Sequence, residues 1–303
     1  MTGPDVVVLS PHLDDAVLSL GALLARLAAD GRRVEVWTAF SAGPDPQDVP
    51  RRWRAFADYP VRRAEDDRAL DLLGARARRL DLREWIWRAP GGPGWLTAFR
   101  GPGDADHLAS LPDLRRALEP VLSGRSAGGA PGGTGARVEV YAPLGVGQHA
   151  DHVEVAVATL QAAEAAGALD RVAFYEDFYA LGEAFRRQHP VTRGVPFPLR
   201  LSPGLAAPGL GAMLLTLAGL SASRRRSPRL DAYAPQVAAL DWRCEAIDVG
   251  GFEQAKLRAV LEYTSQVSRL GGSRMLTAAL RRSHRIRGGE LLWRASTRTL
   301  SGA

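Results

Sequence analysis

Apolar and polar positions follow two rhythms along this chain. A β-branched run, DVVVL at 5–9, fits a strand buried on both faces of a parallel sheet. A helical spacing follows at once: Val17, Leu20, Leu24 and Leu27 fall within 15–30, and Gly31 marks the stop. VEVWTAF at 34–40 predicts the next strand. Strand, helix, strand is the unit of a parallel sheet with right-handed crossovers. Further along, the pattern predicts helices over 62–74, ending near Gly74, and over about 112–123. VEVYAPL at 138–144 predicts a strand, 153–166 an Ala-rich helix and RVAFYEDF at 171–178 another strand. A helix over 253–268 closes the ordered pattern, and the tail after about residue 285 fits no element. The expected fold class is α/β, a Rossmann-like three-layer arrangement on a mainly parallel sheet, in a single domain over 1–303.

Three stretches break the rhythm. GVGQHADH at 145–152 reads as a loop between the strand at 138–144 and the helix after it. SGRSAGGAPGGTGA at 123–136 has no core-forming residues and reads as a flexible surface connection. Residues 190–235 are rich in Pro and Gly, with an apolar piece at 210–220 and the basic run Arg224–Arg226. This region reads as an insertion or lid. The apolar piece is either a lid over the site or a subunit contact, so a homo-oligomer stays open.

Composition removes several function classes. Lys plus Arg number 39 against 33 acidic residues, a net charge of +6 in 303 residues. All the basic residues but Lys256 are arginine, spread along the chain and mixed with acids. Such a pattern describes a solvated, ion-paired surface, and no nucleic acid is expected as a partner. No stretch approaches the roughly 18 uninterrupted apolar residues of a membrane span. No basic segment followed by an apolar one opens the chain, so no signal peptide is expected. The single Cys244 cannot form an internal disulfide, which fits a reducing, cytoplasmic location.

The candidate chemistry lies at two predicted strand ends, where open α/β sheets bind ligands. His12-Leu13-Asp14-Asp15 follows the first strand, and His149-Ala150-Asp151-His152 follows the strand at 138–144. Each segment holds a pair at spacing three, His12 with Asp15 and His149 with His152. That spacing brings side chains to one side of a helical turn. Two imidazoles and a carboxylate form a common catalytic zinc shell with one position open for water. A nearby unligated carboxylate can then act as base. As helix N-cap and first-turn acids, Asp14 and Asp15 would also complement the helix dipole. A dinucleotide enzyme is disfavoured: the first turn lacks G-x-G-x-x-G, and its paired carboxylates would repel pyrophosphate.

PHLDDA at 11–16 followed by HADH at 149–152 resembles the PIG-L/LmbE-like zinc deacetylases. YAPLGVGQHADH at 141–152, YEDF at 175–178 and the spaced K, AV, Y and SQ of 256–266 extend the likeness. The resemblance implies an LmbE-like fold and His12, Asp15 and His152 as ligands of Zn2+, with another divalent metal such as Fe2+ as alternative. It implies Asp14 as general base, His149 as the residue that stabilises or protonates the tetrahedral intermediate, and Asp151 as the acid that holds His149; in the mechanism expected from these roles, Asp151 keeps His149 cationic. Arg62 resembles a substrate-binding arginine, and Glu84 sits where relatives have an acid contacting sugar hydroxyls. Leu13, Ala16 and Gly147 depart from the family pattern, at positions where relatives carry Pro, Glu and, in some, Tyr.

The implied reaction is amide hydrolysis on an N-acylated amino sugar or glycoconjugate, in secondary-metabolite or thiol-cofactor metabolism. The alternatives are an amidase acting on a thiol conjugate or acylated peptide and, more distantly, a non-catalytic Rossmann-like binding protein. The leaving amine would receive its proton from Asp14 or from His149. Trp85, Trp87 and Trp95 are candidates to stack on a sugar or aglycone, with core packing the competing use.

Overall fold

The structure, a computed structural model, describes residues 3–89, 92–93, 108–124, 137–178, 183–194 and 229–297. In chain order its main elements are β1 (Val6–Ser10), α1 (Asp15–Ala29), β2 (Val34–Thr38), α2 (Tyr59–Leu72), β3 (Arg76–Arg79), α3 (Leu111–Leu122), β4 (Glu139–Pro143), α4 (Ala150–Ala165), β5 (Val172–Tyr175), β6 (Leu240–Ile247), α5 (Glu253–Glu262), α6 (Ser273–Arg287) and β7 (Glu290–Thr297). The strands form one sheet in the order β3-β2-β1-β4-β5-β7-β6. Pairing is parallel from β3 through β5, and β7 and β6 join antiparallel at the β5 edge. The expected α/β class and mainly parallel sheet are what the chain forms.

The sheet's alternation explains why β1 shows no polar face. Val6 and Val8 pack with α1, α2, α5 and α6, while Val7 and Leu9 pack with α3 and α4. Both faces are covered, so every β1 residue is buried. Tyr141 and Tyr175 point to the first face, and Val140 and Phe174 to the second.

Several boundaries differ from the sequence reading. α2 starts at Tyr59 because the Asp58 carboxylate accepts from Val61 N at 3.2 Å and Pro60 fits the first turn. α4 starts at Ala150, so Asp151 and His152 lie in its first turn rather than in a loop. The helix at 253 ends at Glu262, where Tyr263 (φ −77°, ψ 58°) leaves helical space, and Thr264–Val267 forms a separate turn. The tail does belong to the fold. α6 and β7 supply a helix and an inner strand, which the arginines of α6 and the short apolar run of β7 conceal.

Of the expected insertion, 195–228 lies outside the described residues, as do Trp95 and 125–136 of the Gly-rich stretch. The described part at Leu230–Tyr233 packs into the core. Among the described residues, no helix is long and apolar enough to cross a membrane.

Candidate metal centre

The strand order reverses between β1 and β4, since β2 and β3 lie on one side and β5 on the other. Ligands bind at such a switch point, beyond the carboxyl ends of the strands. Both His/Asp segments emerge there, one after β1 and one after β4. The approach to the second is conformationally demanding: Gly145 (φ +77°) packs against Val153, and Gln148 (φ +62°) takes a left-handed conformation rare for a side-chain residue.

Three donor atoms meet at one point. His12 Nδ1 and Asp15 Oδ2 are 3.0 Å apart, Asp15 Oδ2 and His152 Nε2 are 3.1 Å apart, and the two imidazole nitrogens are 3.3 Å apart. A tetrahedral ion with Zn–N bonds of about 2.0–2.1 Å separates its ligands by roughly 3.3 Å. The donor set therefore fits a small divalent cation with little adjustment. The turn is built for it: Asp15 Oδ2 also accepts from His12 N at 2.9 Å, and Ser10 Oγ accepts from Ala16 N at 3.0 Å at the helix start.

Each imidazole is aimed by a buried carboxylate on its far nitrogen. His12 Nε2 donates to Asp151 Oδ2 at 3.0 Å, and His152 Nδ1 donates to Asp177 Oδ1 at 2.5 Å. Such partners fix the ring and the tautomer that presents a lone pair to a metal. The first contact places the Asp151 carboxylate on His12, where the sequence reading had it hold His149. Residues 149 and 151 diverge by roughly 200° around a helix of 3.6 residues per turn. Asp151 therefore turns toward the one-turn helix Trp85–Arg88, where Trp85 N (3.0 Å) and Arg88 Nη2 (3.0 Å) donate to it.

Charge follows this geometry. Burial opposes protonation of His12, but the carboxylates of Glu84, Asp15 and Asp151 outweigh it and hold the ring well above its usual value. Burial likewise opposes protonation of His152, yet Asp15 and Asp177 lift it to about 9. Asp15 stays well below the carboxylate range, as both imidazoles overcome its burial. The site thus favours positive charge where the three donors meet, and proton and metal compete for it.

Asp14 occupies the N-cap position of α1 but makes no capping hydrogen bond with its side chain. Burial and then the Asp15 charge raise it to about 6, against the opposing pull of Arg62 and His12. Arg62 and Glu84 form a buried pair at 2.7 Å, and Arg62 also donates to Phe56 O at 3.1 Å. The two residues expected as separate substrate contacts are thus bound to each other, within electrostatic reach of Asp14 and His12. Their 22-residue separation gave no sign of this.

His149 stands beside the centre, its ring 5.0 Å from those of both His12 and His152. Ligand atoms of the three histidines lie within 4.8 Å of one another, a looser set than the triangle with Asp15. The cationic state expected of His149 is opposed here: burial, then the charges of His12 and His152, push it well below the usual histidine value. Asp151 pulls the other way, but its carboxylate is engaged by His12.

Asp177 had no assigned role in the sequence. Its signal was its place just beyond β5, beside β4 and on the same side of the sheet as both histidine segments; its Oδ2 also accepts from Val146 N at 2.8 Å. Arg88, which links Asp151 to Glu154, was also missed. Trp85 is buried against Ala89 and Ala150, and Trp87 donates its indole N–H to Tyr59 Oη at 2.9 Å.

Known proteins share this architecture. The structure of the A40926 pseudoaglycone deacetylase Dbv21 is 22% identical and aligns over 98% of this chain and 99% of that one, with a TM-score of 0.59. The zinc inhibited form of teicoplanin deacetylase Orf2 is 22% identical over 98% and 99%, with a TM-score of 0.64. A deacetylase–bog complex from teicoplanin biosynthesis is 23% identical over 98% and 99%, with a TM-score of 0.62. At these identities the likeness establishes a common fold. No curated protein matches the sequence significantly. The profile of the family described as PIG-L: GlcNAc-PI de-N-acetylase matches residues 7–163, more than half of the chain and all of both His/Asp segments, and the chain therefore belongs to the PIG-L family.

Proposed function

We propose that this protein is a metal-dependent hydrolase that removes an acetyl or other acyl group from the nitrogen of an N-acylated amino sugar conjugate. The observation that carries this reading is the triangle of His12 Nδ1, Asp15 Oδ2 and His152 Nε2, with sides of 3.0, 3.1 and 3.3 Å. In this reading His12, Asp15 and His152 hold zinc. When bound, the cation polarises the acyl oxygen and acidifies water.

The chain's own residues supply the rest. Asp14, held near 6, accepts the proton of the attacking water at neutral pH and then carries it to the leaving amine. His149, neutral in its buried position, offers an N–H to the developing oxyanion. Asp151 and Asp177 keep the two ligand rings aimed. The Arg62–Glu84 pair acts on the base from both sides, Arg62 lowering Asp14 and Glu84 raising it. We assign the proton to Asp14 rather than to His149, since Asp14 is raised to about 6 while His149 is lowered.

Two proteins of similar fold are deacetylases of teicoplanin and of the A40926 pseudoaglycone. We carry that chemistry to this chain as its substrate class: an acylated amino sugar attached to a bulky conjugate in secondary metabolism. The test is metal analysis of the purified protein, paired with amine and carboxylate release from N-acyl glucosamine conjugates bearing inositol, thiol or glycopeptide aglycones. We expect chelator-sensitive release that is fastest on an aglycone-linked sugar. A protein that binds no metal and cleaves none of them rules the reading out. Cleavage of simple acyl peptides alone moves it to the amidase alternative.

A further inference from the structure

Helix α1 begins on the ligand Asp15 and is broken one turn later, where Leu20 (φ −125°, ψ 18°) leaves helical space. No proline stands there, and the break is filled by side chains from the far end of the chain. Ala22 N and Leu23 N donate to the two carboxylate oxygens of Glu290, at 2.9 and 2.8 Å. An unbroken helix would direct those N–H groups to the carbonyls of Leu18 and Ser19. Lys256 Nζ donates to Ser19 O at 3.2 Å and pairs with Glu290 Oε1 at 2.7 Å. Both side chains are 1% exposed. Lys256 also faces His284 Nε2 at 3.2 Å, whose Nδ1 meets Glu253 at 2.8 Å. Gly21 makes room for this, since a Cβ there would lie 2.7 Å from Lys256 Cγ.

Side chains inserted into the hydrogen-bond ladder are a recognised cause of helix kinks. A buried ion pair is often no more stabilising than apolar residues of the same volume, so stability alone does not explain it. Its geometric effect is specific. The segment from Asp15 to Ser19 is set at its own angle, and Ser19 is its anchored end. Ser19 Oγ accepts from Phe178 N at 3.2 Å, next to Asp177, which orients His152. One residue thus ties together the turn that bears Asp15 and the strand end that bears Asp177. Both residues lie outside the 7–163 range that the family model matches, although Lys256 opens the spaced K, AV, Y and SQ that resemble the family.

We propose that the buried Lys256–Glu290 pair is a positioning element for the metal centre, inserted into α1 so that Ser19 holds the Asp15 turn and the Asp177 segment in mutual register. This rests on the reading of His12, Asp15 and His152 as the metal site.

The test compares wild type with Lys256→Met and Gly21→Ala, using Leu114→Ala in the core of the opposite sheet face as a control for lost stability. Gly21→Ala keeps every charge and by itself favours helix, so it remains informative if Lys256→Met does not fold. The readouts are zinc affinity by chelator competition, the visible absorption of the cobalt-loaded protein and thermal stability. We expect both α1-site variants to lose about tenfold or more in zinc affinity and to shift the cobalt bands. Leu114→Ala should lose thermal stability yet keep the wild-type affinity and spectrum. Folded variants with wild-type affinity and bands overturn the proposal, as does a control that loses affinity in the same proportion. A wild type that binds neither ion overturns the metal-centre reading itself.

Discussion

His12 Nε2 and the carboxylate of Asp151 lie 3.0 Å apart although 139 residues separate them in the chain. This contact ties the loop after β1 to the first turn of α4. If His12 is a metal ligand, as we propose, the contact gives Asp151 the role of holding that ligand's ring. Asp151→Asn should therefore weaken metal binding by roughly 10–100-fold, measured by chelator competition. If Asp151 served His149 instead, affinity would hold and only turnover would fall.

Asp14→Ala should keep wild-type metal content and lose about two to four orders of magnitude in turnover, the usual range for a general base. The comparison requires metal analysis and kinetics on the same preparation. Near-normal rates at full occupancy would falsify the base assignment.

The acid limb of kcat/KM should follow the same residue. In the proposed mechanism Asp14 acts as a carboxylate, and with its pKa raised to about 6, activity should fall as pH drops through that value. Arg62 lowers Asp14, so Arg62→Met should move the limb to higher pH. A pH profile of both proteins reads the shift directly, and an unmoved limb would separate Arg62 from the base.

Metal binding should release protons. His152 is raised to about 9 and so carries a proton at neutral pH that the metal must displace. Affinity should rise with pH by about tenfold per unit for each proton displaced, up to that value. Calorimetry in buffers of different protonation enthalpy counts the protons. In chelated protein the same raised pKa stabilises the fold. That contribution is complete below the ordinary histidine value of 6.5 and is lost as pH rises through about 9.

Glu84→Ala should destabilise the protein by about 3–5 kcal/mol, because it leaves the Arg62 guanidinium buried without its carboxylate. Denaturant unfolding measures it. A loss below about 1 kcal/mol would mean that water reaches Arg62 and the pair is not sealed.

The central strands and crossover helices were legible because their apolar spacing is a local property. β1 reads as an unbroken run of aliphatics since both of its faces are covered. β6 and β7 were missed. Their pairing is antiparallel and closes onto β5 from far along the chain, with β7 placed between strands that precede it. No local spacing encodes such an insertion.

By itself the sequence determined the two His/Asp segments, their placement after strands, and the adjacent carboxylates Asp14 and Asp15. Residue type and spacing suffice for that, because a turn after a strand leaves its side chains at the sheet's edge. Only the tertiary structure decided which carboxylate serves which ring, since hydrogen-bond partners are chosen by direction and distance across the fold. It assigned Asp151 to His12, brought in Asp177 for His152, and closed Arg62 and Glu84 on each other. It also set the charge of each group, because burial and neighbouring charges, not residue type, raise Asp14 and lower His149.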